Sequence, residues 1–240
     1  MGEQSERRRV MVIMAHTDDP EFACAGTVCQ WVREGDEVVY VLATHGEAGS
    51  DDIRLTAQQL ATVREKEQRA AARILGVNQI VFLDHPDGSL MATLDLRRDL
   101  TREIRRCQPD IVVTVDPTLR YHLSYLNHPD HRALGDAALD AVFPDARNPR
   151  QFPELLQEEQ LEPHRVGEVY IAWGRRTDGE GIVEVDITDV FGRKVAALLE
   201  HRSQISDPAG LEERLRERHR VEDGNGVVRY VERFKRVTLR

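Results

Sequence analysis

Cysteine is scarce in this 240-residue chain: Cys24, Cys29 and Cys107 are the only three, and none forms a Cys-x-x-Cys pair. That excludes a disulfide framework and a thiolate zinc site, and leaves free, mostly buried thiols. Lysine is as rare, with Lys66, Lys194 and Lys235 alone among 33 basic residues. Positive charge is in deficit overall. A net charge of −9 argues against broad electrostatic binding to nucleic acid or to an anionic membrane. No apolar run approaches the ~20 residues that span a bilayer. Residues 1–9 are polar and charged, without the apolar core of a signal peptide. A cytoplasmic location is the expectation. Repeats, low-complexity tracts and linkers are also missing. A single domain over 1–240 is therefore expected, with a core at about 8–142 and a C-terminal region at about 143–240 that shapes specificity or assembly.

What is present is organised around residues 10–22. Val10, Met11, Val12, Ile13, Met14 and Ala15 form an unbroken, β-branched-rich run, the pattern of a strand buried on both faces. Further strands are expected at 37–43, 79–83 and 110–115, alternating with helices at 26–34, 56–75, 96–107 and 131–142. This alternation predicts an α/β fold: a Rossmann-like, doubly wound, mainly parallel sheet with helices on both faces. In the less regular last third, strands are expected at 166–173 and 181–187. Helices are expected at 154–159, 189–201 and 210–219, and a strand or extended arm at 227–234.

The first strand ends in His16-Thr17-Asp18-Asp19-Pro20, and the loop after the fourth carries Asn127-His128-Pro129-Asp130-His131. Taken singly, the first reads as a turn or helix cap and the second as a polar loop opening a helix. Both clusters follow apolar strands at the same rim of the sheet, where open α/β folds bind ligands. Zinc and related ions accept imidazole nitrogen and carboxylate oxygen, and catalytic sites use three protein ligands. His16, Asp19 and His131 make such a set. Asp18, adjacent to a ligand but not needed as one, fits a general base. His128 can serve a developing oxyanion or a leaving amine.

These residues, with Phe22, Cys24, Gly26-Thr27 and Arg132, resemble the LmbE-like, or PIG-L, family of zinc-dependent deacetylases. The similarity runs along most of the chain. Thr44-His45-Gly46-Glu47 resembles the family loop after the second strand. Arg64-Glu65 with 70–76 resembles its long-helix motif, 83–88 its Asp-Gly loop, and 201–204 a late motif. The resemblance implies removal of an acetyl group from an N-acetylglucosamine-type sugar or glycoside, through attack of a water on zinc. Asp18 is then the base, His128 assists, and His16, Asp19 and His131 hold one Zn2+ (or Fe2+). It further implies Glu47, Arg64 and Asp87 near the substrate, and a homo-oligomer, trimer or hexamer. For Arg64 an ion pair with Glu67 is the plain alternative, and for Asp87 a simple turn. Thr17 stands where the family commonly has proline. Leu126 stands where some members carry tyrosine, which Tyr121 or Tyr125 would have to replace.

Three rivals remain. The bond can be an amide in a non-sugar N-acyl compound. The chain can be a sugar-conjugate binding protein with a structural metal, against which the spare base Asp18 speaks. A dinucleotide enzyme is disfavoured because Gly-x-Gly-x-x-Gly is missing after the first strand.

Overall fold

Val10 to Met14 of strand β1 (Arg9–Met14) are sealed from solvent on both faces, as their unbroken apolar run demands. A computed structural model describes residues 7–122, 125–173 and 180–240, and β1 lies inside its main sheet. On one side β1 pairs in parallel with β2 (Glu37–Leu42), which pairs with β3 (Gln79–Phe82). On the other it pairs in parallel with β4 (Ile111–Val115). A small hairpin of β5 (Tyr121–His122) and β6 (Tyr125–Leu126) stands apart. Strand β7 (Glu168–Ala172) continues the parallel run beyond β4. The long strand β10 (Val228–Thr238) then pairs antiparallel with β7, with β8 (Ile182–Asp186) and with β9 (Arg220–Glu222). The main sheet runs β3-β2-β1-β4-β7-β10-β8, so the expected mainly parallel, doubly wound architecture holds.

The period-two alternation of β1 divides the core. Val10, Val12 and Met14 pack on one face with α1 (Asp19–Glu34), α2 (Ala57–Leu75) and α6 (Phe191–Leu198). Met11 and Ile13 pack on the other with α3 (Leu94–Cys107) and α4 (Pro129–Asp140). Helix α2 starts at a capping box between Thr56 and Gln59 and stops at Gly76, whose φ of 86° only glycine adopts freely. Two helices of the last third, α5 (Pro153–Gln157) and α7 (Pro208–His219), lie near their expected places. Among the described residues no helix is long and apolar enough to cross a membrane.

Two boundaries differ from expectation. The helix expected at 189–201 is regular only to Leu198, because tight turns then bring His201 inward onto Glu21. Helix α1 begins at Asp19 rather than at Gly26, since Pro20 suits a first helical turn. It breaks at Cys24 (φ −149°, ψ 17°) and restarts. The restart exposes new N–H groups, and buried Glu232 of β10 accepts them from Gly26 (3.1 Å) and Thr27 (2.8 Å). Lys194 of α6 neutralises Glu232 at 2.8 Å and donates to the carbonyls of Glu21 and Phe22. Neither charge reaches solvent.

A buried ion pair is weak evidence of net stability, but removing one partner strands the other. Glu232→Ala is therefore expected to lower unfolding stability by about 3–5 kcal/mol. Denaturant unfolding is the check, and a loss under about 1 kcal/mol would remove this pair from the structural account.

Candidate active site

The strand order reverses between β1 and β4: the chain builds outward through β2 and β3, then returns to the far side of β1. Crevices at such a switch point open beyond the carboxyl ends of the strands. The residues after β1 and the loop before α4 meet there. Together with the loops after β2 and β3 they line a cavity of about 800 Å³.

Asp19 is the hub. One carboxylate oxygen accepts the His16 backbone N–H (2.8 Å) and lies 3.3 Å from His16 Nδ1; the other lies 3.2 Å from His131 Nε2. Donor atoms of His16, Asp19 and His131 all fall within 4.8 Å of one another. Each imidazole is oriented through its remaining nitrogen. His131 Nδ1 meets Asn127 Oδ1 at 3.1 Å, and Asn127 is anchored by donation to the Leu119 carbonyl. His16 Nε2 lies 3.1 Å from Asp87 Oδ1 and 3.4 Å from Asp130 Oδ2. Asp130 is itself fixed by the N–H groups of Gly88 and Leu90. Two imidazoles and a carboxylate, each held from behind, fit a divalent zinc-like ion.

The electrostatics point the same way. Burial works against charge on His16, but Asp19, Asp130 and Asp87 outweigh it and push its pKa up to about 12. Burial also opposes ionisation of Asp19, yet His131 and His16 hold it well below the usual carboxylate range. Asp18 behaves differently. Burial, reinforced by the neighbouring Asp19 charge, raises it to about 6 against the pull of Arg64.

Asp18 contributes to the cavity wall, with one oxygen 3.2 Å from Arg64 Nη2. His128 is partly exposed; its Nδ1 accepts the Asp130 N–H at 3.3 Å, which leaves Nε2 without a hydrogen-bond partner among the described residues. Its pKa is lowered by burial and by His16. Asp87 reaches the cavity while also accepting the Ala48 N–H, so it is more than a turn residue.

Arg64 lines the cavity too, but it spends most of its donors on the Gly46 carbonyl (2.7 Å), the Thr17 carbonyl (2.8 Å) and Asp18. The alternative ion pair with Glu67 is not formed, because Glu67 accepts from Ser203. Glu47 sits beside a different hollow. One of its oxygens accepts the Asp87 N–H at 2.9 Å, and the residue lines a separate hollow of about 330 Å³ beside His45 and His85. It is not among the described residues that line the larger cavity.

Asp130 and Asn127 as orienting groups, and Trp173 with its ring tilted 5.1 Å from that of His131, were not expected from the sequence. Their place within the His-Pro-Asp-His cluster could have flagged the first two, since ligating histidines usually carry a second partner. Tyr125 donates to Asn127 (3.1 Å) and so reaches the His131 support rather than standing free.

A family model described as "PIG-L: GlcNAc-PI de-N-acetylase" matches residues 11–142. The chain is 33% identical over 201 residues to a diacetylchitobiose deacetylase of Thermococcus kodakarensis, covering 83% of this chain and 71% of that protein. It is 29% identical to a probable N-acetyl-α-D-glucosaminyl L-malate deacetylase 2 of Bacillus anthracis, covering 83% and 82%. Among solved structures it is similar to N,N'-diacetylchitobiose deacetylase from Pyrococcus horikoshii. There the TM-score is 0.86 at 32% identity, over 97% of this chain and 85% of that one.

The donor geometry carries a binding test that needs no substrate. Titration with Zn2+ is expected to give one strong site per chain, abolished in His131→Ala. Asp130→Asn, which weakens the support of His16, is expected to lower affinity about 10- to 100-fold. Unchanged affinity in both variants would place the ion elsewhere.

Proposed function

The chain belongs to the PIG-L family of GlcNAc-PI de-N-acetylases, and from that premise we propose that it is a zinc-dependent N-deacetylase acting on an N-acetylglucosamine-type sugar or glycoside. One observation carries the reading: a carboxylate, Asp18, stands in the cavity next to a metal-binding set to which it does not belong. A structural metal site or a binding module has no use for such a group.

His16, Asp19 and His131 would hold the ion, which when bound supplies Lewis acidity toward an amide oxygen and eases the deprotonation of water. Asp18 takes the proton of the attacking water. Arg64 occupies one of its oxygens and leaves the other for that transfer. Its raised pKa keeps it basic enough to accept a proton near neutrality. His128, through Nε2, donates a hydrogen bond to the oxygen that gains charge and then steadies the departing amine, which takes the proton held by Asp18 as the C–N bond breaks and acetate is released. Asp87 and Arg64 line the wall on the side of the β2 and β3 loops, where they meet the sugar hydroxyls.

The cavity lies at the large end of the ~300–1,000 Å³ range of small-molecule sites. Its outer walls bring Phe22, Leu119, Tyr125 and Trp173 to the space beyond the reacting centre. That room suits an acetylated sugar bearing a second unit. The three deacetylases named above act, by their names, on two-part compounds of this kind.

The test is free-amine release by zinc-loaded protein from N-acetylglucosamine, diacetylchitobiose, and the inositol and malate glycosides of N-acetylglucosamine, with chelated protein as control. Chelator-sensitive release from a two-part substrate is expected. Release only from non-sugar N-acyl compounds would move the assignment to a general amidase. Asp18→Asn is expected to keep its zinc and lose about 10²- to 10⁴-fold in kcat; near-normal turnover would end its assignment as base.

A further inference from the structure

We infer that Gln68 is a positioning residue for Asp18, holding the backbone that aims its carboxylate at the reacting centre; this rests on the reading of Asp18 as base. Asp18 has φ 84° and ψ −28°, a conformation that residues bearing a Cβ seldom keep without external support. The support comes from one turn of α2. Arg64 Nη2 donates to the Thr17 carbonyl at 2.8 Å, and the Asp18 N–H donates to Gln68 Oε1 at 3.0 Å. That carbonyl and that N–H are the two ends of a single peptide unit, whose plane sets ψ of residue 17 and φ of residue 18. Residues 64 and 68 stand four apart, on the same helix face. Together they grip one rigid plate from both edges.

Gln68 can accept at this point only because its amide is locked the right way round. Its Nε2 donates to both carboxylate oxygens of Glu21, at 3.0 and 3.1 Å, which directs Oε1 to Asp18. Glu21 is held in turn by His201 Nε2 at 3.2 Å. Gln68, Glu21 and His201 are all fully buried, so no water competes for these bonds. A glutamine that only filled space would not need an acid behind it to choose its orientation.

The donor–acceptor pattern can be broken and restored. Gln68→Met keeps the length and removes both polar ends. Gln68→Glu keeps the acceptor but opposes Glu21 with a second carboxylate. The double exchange Gln68→Glu with Glu21→Gln restores an acceptor for Asp18, a donor for residue 68 and a partner for His201. With zinc-loaded protein and diacetylchitobiose, Gln68→Met is expected to lose about 10- to 100-fold in kcat, with KM within about twofold and zinc content unchanged. Gln68→Glu should fall at least as far, and the double exchange should recover to within about threefold of the parent. In a crystal structure of Gln68→Met, residue 18 should leave its positive φ.

A Gln68→Met enzyme with parental kcat and an unchanged φ at residue 18 would overturn the inference. So would a double exchange no better than Gln68→Glu, and that comparison decides the matter if Gln68→Met does not fold. Should Asp18→Asn retain turnover, the base assignment falls instead. The geometry of residue 18 in Gln68→Met still decides whether Gln68 holds that peptide.

Discussion

Compensation of negative charge in a place poorly reached by water is the constraint on which the rest of this structure depends. Asp18, Asp19, Asp87 and Asp130 all converge where β1 and β4 part company. Carboxylates taken out of water must find partners or lose their charge. The loops are shaped to provide them: backbone N–H groups of His16, Ala48, Gly88 and Leu90 each point at one of these acids. Arg64 supplies the fixed positive charge, to Asp18. A divalent ion between His16, Asp19 and His131 would supply what is still missing, which is why the site reads as one that expects a cation.

The C-terminal third serves the same rim from behind. Glu232 and Lys194 pin the restart of α1, the helix that opens with Asp19. His201 steadies Glu21, and through Gln68 the steadying reaches Asp18. Side chains from α2, α6 and β10 thus hold the segment between Thr17 and Thr27 that follows β1. Rigid placement of that segment matters more than any one contact, because a proton acceptor displaced by about 1 Å can cost orders of magnitude in rate.

Much of this was legible in the sequence. The apolar runs of Val10–Met14 and Ile111–Val115 identify buried parallel strands, and the two polar clusters that follow them declare a shared rim. The candidate trio His16, Asp19 and His131, with Asp18, stands out because histidine and aspartate at strand ends have few other reasons to occur together. The place of Glu47 was less legible: its motif was visible, but whether it faces the cavity or the adjoining turn depends on how the β2 and β3 loops cross. Gln68 was invisible for a related reason. Its neighbours on α2 read as an ordinary amphipathic helix, and its task arises only once that helix is laid against the turn after β1. Lys194 was hidden as well, since nothing local tells a buried lysine from a solvated one.

The position of β10 bears on how the protein comes into being on the ribosome. This strand, at 228–238, does not sit at an edge; it lies between β7 and β8 and carries Glu232 into the first helix. A nascent chain that has emerged only through α4 owns every residue proposed to bind the metal or move a proton, yet lacks the wall and the buried anion that steady them. Joining residues some two hundred positions apart is slow, because the loop between them must close first. Ordering of the site therefore awaits β10, as a property of the whole sheet rather than of the segment that bears the motifs.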